Sequence, residues 1–180
     1  NHDLRGNFAE KFADYTPSYL GNTYYSFRLG NIWGILIDCG EDKADENAEY
    51  GFTVACHVFR ERQTEFLNKI IENKENEYAA DGVINKLVIS HNPFTHVLVH
   101  PFDIEKDIFS EWTRLLKENV KPDVMICGHL HELNVYYPEN TEWNTNGSIC
   151  PVVVGGTIKR GDVPYFAGCG YIFGDDGIKL

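Results

Sequence analysis

The feature of this sequence that most constrains its fold is the alternation of short apolar runs with longer amphipathic stretches. The runs at 32–38, 86–90 and 123–127 are short and rich in Val, Ile and Leu, which is typical of buried strands. In the two stretches between them, 59–78 and 104–119, apolar residues recur at helical spacing with charged residues in between. Strands that alternate with helices predict a mixed α/β (α+β) layered domain.

Both ends of this pattern carry additional strands. Residues 23–29 and 32–38 flank a turn at Gly30-Asn31, so we expect them to form a hairpin. Asp103 precedes the second helical stretch and is expected to cap it. After residue 127 the pattern contains strands only, at 133–137, 149–154 and 170–173.

Composition and charge exclude several classes of protein. The 180 residues include 16 Lys and Arg against 27 Asp and Glu, a net charge of −11, which argues against a surface that binds nucleic acid. Hydrophobic residues make up 43% of the chain, enough for the core of one domain. No stretch approaches the roughly 18 to 20 consecutive apolar residues of a membrane span. The five cysteines form no Cys-x-x-Cys pair, so we expect buried free thiols rather than a disulfide scaffold or a thiolate zinc site.

Histidines follow two of the predicted buried strands at the point where each strand ends. His91 comes directly after the strand at 86–90, and Gly128-His129-Leu130-His131 follows the strand at 123–127. Ligand sites in open α/β sheets gather beyond the carboxyl ends of strands. In an extended segment His129 and His131 would point to one side while Leu130 packs on the other. A single histidine after a strand is more often an ordinary polar residue, but the cluster favours a site for zinc, iron or manganese.

The other histidines and the acidic stretch have plainer interpretations. His96 and His100 lie in a predicted loop at the rim of the same face, where they either contact substrate or are simply exposed. His57 lies next to Cys56 in a predicted strand, and we expect it in the core or at a sheet edge. The acidic residues at 41–49 predict a solvated loop, because they lack the glycine and terminal glutamate of a calcium loop.

Three short motifs occur in an order that resembles a known family. Asn1-His2-Asp3, Ser90-His91-Asn92-Pro93 and Gly128-His129-Leu130-His131 resemble the third, fourth and fifth sequence blocks of the calcineurin-like metallophosphoesterases. The predicted hairpin at 24–38 is similar to the segment that follows the Asn-His block in that family. The resemblance spans nearly the whole chain, and it implies a four-layer β-sandwich flanked by helices, incomplete here at the N-terminus.

The resemblance also implies the metal ligands. A complete site of this family holds two divalent ions such as manganese, iron or zinc. Asn1, His91 and His129 would bind the second ion, and His131 would bind the first. Two such ions neutralise a phosphate and lower the pKa of a bridging water, which then attacks the phosphoester.

Three further residues would act on the substrate. By resemblance, His2 would stand over the phosphate without binding metal, where it stabilises charge or protonates the leaving oxygen. Asp3 would orient His2. Asn92, next to His91, is expected to contact the phosphate.

The first two sequence blocks of the family, Asp-x-His and Gly-Asp-x-x-Asp, do not occur at the required places in this chain. The sequence also opens on Asn1 without an initiator Met, so we expect residues 1–180 to be the C-terminal part of a single domain. Such a chain would be inactive or weakly active as it stands. Its missing N-terminal half would be its natural partner, and exposed sheet edges would favour self-association.

The leading interpretation is therefore a metal-dependent hydrolase of phosphomonoesters or phosphodiesters, with a small molecule or a phosphoprotein as substrate. The alternative is a non-catalytic protein-interaction scaffold on the same fold. His2 favours the enzyme, because a scaffold needs no proton donor at that place, whereas the missing Asp blocks favour the scaffold.

Overall fold

The computed structural model describes residues 8–156 and 167–179. The two α-helices and eight strands of this part of the chain are β1 (Tyr25–Leu29), β2 (Ile32–Ile37), α1 (Cys56–Glu72), β3 (Asn85–Ser90), α2 (Lys106–Leu115), β4 (Val124–Cys127), β5 (Asn134–Tyr136), β6 (Val152–Val154), β7 (Ile172–Gly174) and β8 (Gly177–Lys179). Their order confirms the predicted mixed α/β class.

Six strands form one mixed sheet in the order β1-β2-β3-β4-β6-β5. The four central strands are parallel, and β1 and β5 pair antiparallel at the two edges. Helix α1 connects β2 to β3, and α2 connects β3 to β4. The hairpin predicted at 23–38 is confirmed, with Leu29 opposite Ile32. Because the central strands are parallel, β3 and β4 end at the same edge of the sheet.

The sheet is covered on both faces, as its apolar strands require. On one face, α1 and α2 pack through Phe66, Leu67 and Trp112 onto a core that includes Ile35 and Met125. On the other face lies a smaller cluster around Leu87, Val124 and Val153. Residues of the β7–β8 hairpin pack against that second cluster, namely Phe173 and Ile178. The described residues therefore form three layers, with the helices on one side of the sheet and the hairpin on the other.

Two local predictions were wrong. Asp103 does not cap α2, because the helix begins at Lys106 after Glu105, which adopts a left-handed conformation with φ of 55°. His57 lies in the first turn of α1 rather than in a strand, and its side chain is exposed. The stretch 41–49 contains no buried residue, in agreement with a solvated loop, and it is also tied to α1, since the Asp45 carboxylate accepts hydrogen bonds from the backbone N–H groups of Cys56 and His57 at 2.9 and 3.1 Å.

A buried arginine ties α1 to the loops around it. The Arg60 side chain is fully buried. Its guanidinium donates to the Cys39 carbonyl at 2.8 Å, to the Glu41 carbonyl, and to Glu105 Oε1 at 2.8 Å. The Glu105 side chain is 13% exposed. Arg60 therefore joins the start of the acidic loop, at Glu41, to Glu105, the residue that precedes α2.

Two predictions from composition agree with the described residues. All five cysteines are free, and Cys169 alone among them is not buried. No helix within 8–156 or 167–179 has the length and apolar character needed to cross a membrane.

The pairing of His57 with Glu105 predicts a pH dependence. Hydrogen bonding and charge interaction with Glu105, with smaller contributions from Glu61 and Asp45, raise the pKa of His57 above its ordinary value. Because the folded-state pKa is the higher one, this pairing stabilises the fold below about pH 6.5, and the contribution is lost as the pH rises through the folded-state pKa. NMR titration of the His57 ring should show a raised pKa that falls in Glu105→Gln and changes less in Glu61→Gln. An identical His57 pKa in the parent chain and in Glu105→Gln would contradict this assignment.

Candidate functional site

The candidate site lies where β3 and β4 end side by side. His91 follows β3, and the segment from Gly128 to His131 follows β4. The Gly128 N–H donates to the His91 carbonyl at 2.9 Å, which continues the strand pairing one step beyond the sheet. A side chain at position 128 would place its Cβ only 3.3 Å from Nδ1 of His91. Glycine at this position therefore lets the two segments approach closely.

The backbone of the second segment is turned rather than extended. His129 and His131 both have positive φ, of 65° and 54°. The Leu130 N–H donates to the Gly128 carbonyl at 2.7 Å, which closes a tight turn. The premise that an extended backbone places the two rings on one side was therefore wrong. His129, Leu130 and His131 nevertheless all line the same cavity.

The left-handed backbone at two histidines predicts that glycine would stabilise the fold more than alanine at such a position. A side chain in this conformation costs about 1 kcal/mol relative to glycine. We expect His131→Gly to have a free energy of unfolding about 1 kcal/mol above that of His131→Ala, although both variants lack the imidazole. Urea denaturation of the matched pair measures this difference. Equal stability of the two variants, or a more stable alanine variant, would refute it.

The cavity beside these residues has a volume of about 410 Å³. Its polar lining consists of Asp42, His91, His96, His129 and His131. Its apolar lining consists of Leu98, Val99, Phe102 and Leu130. Volumes of about 300–1,000 Å³ are usual for small-molecule sites. The three histidines predicted from the strand ends thus share one cavity of ligand size.

Two of these imidazoles are close neighbours. The rings of His91 and His129 lie 5.4 Å apart between centroids, at an interplanar angle of 87°. Two imidazoles on one tetrahedral ion place their centroids roughly 5 Å apart, because metal–nitrogen distances are about 2.0–2.1 Å. Across residues 8–156 and 167–179, however, no group of three or more His, Cys, Asp or Glu side chains is arranged to hold an ion. The centroid spacing of this pair is thus compatible with a shared ion, whereas the described residues do not contain a complete set of ligands.

Asp42 adds a carboxylate to the cavity. Its carboxylate accepts a hydrogen bond from the Tyr50 hydroxyl at 2.9 Å, and Lys43 Nζ lies 3.5 Å away. Partial burial raises the pKa of Asp42, but the Tyr50 hydrogen bond and the charges of Lys43 and His129 outweigh it, so the net pKa is lowered. Asp42 therefore stays ionised and holds a negative charge close to His129.

His96 forms another wall, and aromatic stacking holds it in place. Its ring stacks on Trp143 at 4.7 Å between centroids and 7° between planes. Trp143 in turn stacks on Tyr136 at 3.8 Å and 9°. Nδ1 of His96 also makes a hydrogen bond with the Trp143 carbonyl. These contacts leave the His96 ring little freedom, so this part of the wall is already formed.

Of the other predicted site residues, the structure describes only Asn92. Asn1, His2 and Asp3 lie outside the described residues. Asn92 is 2% exposed, and neither its amide nitrogen nor its amide oxygen has a hydrogen-bond partner. It is buried beside His91 rather than on the cavity lining, and its contact with phosphate stays a prediction.

Sequence reasoning missed Asp42 and the apolar residue Phe102. Asp42 lies in the acidic run for which the sequence predicts a solvated loop. Its partners Lys43 and Tyr50 lie in or next to the same run. Acidic residues that alternate with a tyrosine and a lysine could have indicated a structured loop. Phe102 packs edge-on against the His129 ring, with centroids 5.2 Å apart, and nothing in the sequence pattern placed it there. Comparison with known proteins adds no further assignment, because no known family model matches this chain and no curated protein is significantly similar to it.

Proposed function

We propose that this chain supplies the histidine ligands of a metal-dependent phosphoester hydrolase. Such an enzyme attacks its substrate with metal-activated water. The observation that supports this proposal best is the meeting of His91, His129 and His131 on one cavity at the ends of two neighbouring parallel strands. Clustered imidazoles beyond strand ends are suited to hold a divalent cation. A cation there would let a protein of net charge −11 attract a phosphate group.

The proposed fold is that of the calcineurin-like metallophosphoesterases. The helix layer on one face of the mixed sheet and the β7–β8 hairpin on the other are in keeping with a layered sandwich flanked by helices. In the complete site of that family, two ions such as manganese, iron or zinc would be held in part by His91, His129 and His131. Bound ions of this kind supply positive charge for the phosphate and a water of lowered pKa.

The residues of this chain would have separate roles in such a site. His91 and His129 would act as neutral nitrogen donors, which their close spacing favours. Asp42, ionised beside His129, would increase the attraction of the cavity for cations. Phe102, packed on His129, would exclude water from one side of that ring. His2 would supply the proton for the leaving oxygen and Asp3 would orient His2. Asn1 would be a further ligand of the second ion, beside His91 and His129.

A non-catalytic interaction scaffold remains the second candidate. It is favoured by one observation, namely that residues 8–156 and 167–179 contain no ready group of three metal-ligating side chains. The two candidates differ in a simple property. A hydrolase of this type must bind a divalent ion through the histidines, and a scaffold need not.

Metal and phosphate binding together test the proposal. The purified chain should retain at least one equivalent of Mn²⁺ or Zn²⁺ after dialysis, by elemental analysis, and His91→Ala should not. With the metal present, inorganic phosphate should shift the imidazole NMR signals of His129, and para-nitrophenyl phosphate should be hydrolysed weakly. His57→Ala is the control, because its exposed ring lies outside the cavity. Failure to retain any of these metals at millimolar concentration would refute the hydrolase and favour the scaffold.

A further inference from the structure

One wall of the histidine cavity is apolar. It is formed by Leu98, Val99, Phe102 and Leu130. Three of these four residues belong to a single loop between β3 and α2, and the fourth lies between the two turned histidines. The cavity therefore has two unlike halves, with imidazoles and a carboxylate on one side and hydrocarbon on the other.

Part of the apolar wall is exposed to solvent. Val99 is 82% exposed, in a loop that is otherwise rich in apolar residues. Single exposed apolar residues are ordinary, but here Val99 shares one concave surface with Leu98 and Phe102. Leu98 is already buried, so a ligand that filled the cavity would mainly cover Val99 and Phe102.

The wall is held in place before any ligand arrives. The Phe102 N–H donates to the Val99 carbonyl at 3.0 Å, which closes a turn in the loop. The Val97 N–H donates to Thr145 Oγ1 at 2.8 Å, so the loop is tied to a distant segment. Lys43 Nζ lies 5.3 Å from the centroid of the Phe102 ring, within cation–π range. A preformed wall reduces the entropy lost on binding.

We propose that this apolar wall holds the ester group of the substrate, so that the preferred substrate is a phosphomonoester of a compact apolar alcohol or phenol. The inference rests on the proposed hydrolase function, which places the phosphate at the imidazoles. Phe102 touches both halves, since its ring packs edge-on against His129. An ester group bonded directly to the phosphate would therefore lie against Phe102 and Val99.

The size and the charge of the cavity narrow the class of substrate further. A cavity of about 410 Å³ is near the small end of the range for ligand sites. Asp42 within the cavity would repel additional anionic groups on the substrate. These features favour one phosphate and one small apolar group over a polyphosphate or a nucleic acid.

Three probes separate the two halves of the cavity. Phenylphosphonate and methylphosphonate share the charged head and lack a hydrolysable ester bond, whereas phenol has the ring without the head. With Mn²⁺ present, isothermal titration calorimetry should show phenylphosphonate binding about tenfold or more tightly than methylphosphonate, since the ring is buried against hydrocarbon. The readout is binding, so it does not depend on turnover.

Matched variants test whether the apolar wall causes the preference for phenylphosphonate. Val99→Ser should reduce the preference for phenylphosphonate about threefold, and Val99→Ser with Phe102→Ala should remove it. Val99 is exposed, so its substitution should leave the fold intact. Ile172→Ser is the control, because Ile172 is also an exposed apolar residue, at 68%, but lies in β7 away from the cavity.

The possible results distinguish this inference from the proposed function. Equal affinity for both phosphonates would overturn the apolar subsite and leave the hydrolase standing. Phenol binding as tightly as phenylphosphonate would overturn the phosphate site on which the inference rests. Binding of neither phosphonate would overturn both. A preference that survives in the Val99→Ser and Phe102→Ala double variant would overturn the assignment to this wall.

Discussion

Replacing Arg60 with methionine should destabilise the protein by about 3–5 kcal/mol, the usual loss when one partner of a buried ion pair is removed. The guanidinium is fully buried and its hydrogen bonds reach Glu105 and the carbonyls of Cys39 and Glu41. Methionine fills much of the volume but donates no hydrogen bond. The Glu105 side chain, which is only 13% exposed in the parent chain, would then lose its buried cationic partner. Urea denaturation followed by tryptophan fluorescence measures the loss.

A double-mutant cycle shows whether the ion pair is the cause. Glu105→Gln keeps the shape of the side chain, and combined with Arg60→Met it should lose less than the sum of the two single variants. Arg114→Met is the matched control, because Arg114 is half exposed and bonded only to surface glutamates. Its loss should be far smaller than that of Arg60→Met, as is usual for surface pairs. A loss below about 1 kcal/mol for Arg60→Met would contradict the assigned role.

Replacing His91 or His129 with alanine should lower the affinity for Mn²⁺ or Zn²⁺ by about 100-fold or more, because even residues that only support a ligand contribute 10–100-fold. The two rings lie 5.4 Å apart, a spacing that suits a shared ion. Either substitution leaves one imidazole, so the double variant should lose little beyond each single one. Isothermal titration calorimetry with both metals measures the three affinities.

A histidine outside the cavity is the control for this series. His100 is 85% exposed and pairs with Asp103, so His100→Ala should bind metal as the parent chain does. Circular dichroism should show that all variants keep the fold. Metal affinity within about threefold of the parent chain in His91→Ala and in His129→Ala would remove the basis for a metal site at this cavity.

The strands that position the histidines of the site could be predicted from local patterns. The apolar runs that became β3 and β4 end at Ser90, directly before His91, and at Cys127, one glycine before His129. Strand periodicity is a property of neighbouring residues, so it survives without any knowledge of the fold. The parallel arrangement then followed from the helix between the two strands. This is why His91 and His129 could be expected at one place.

Other features could not be predicted, because they depend on contacts between distant segments. Arg60 lies in a helix, where charged residues are common, yet its side chain is fully buried and bonded to the Cys39 carbonyl and to Glu105. The left-handed backbone at His129 belongs to the tight turn that Leu130 closes, and His131 is also left-handed; side-chain alternation reveals neither. Local pattern rules assume regular backbone, so they fail where a turn follows a strand.

The alternation of strands and helices, the burial of the central strands and the placement of histidines at two strand ends follow from periodicity along the chain, so they could be predicted without the fold. The meeting of Asp42 and Phe102 with those histidines depends on packing between distant segments. Lys43, next to Asp42, lies over the Phe102 ring, and Arg60 bonds both the Glu41 carbonyl and Glu105, which precedes α2. These contacts join segments far apart in the chain, so a pattern of neighbouring residues does not predict them.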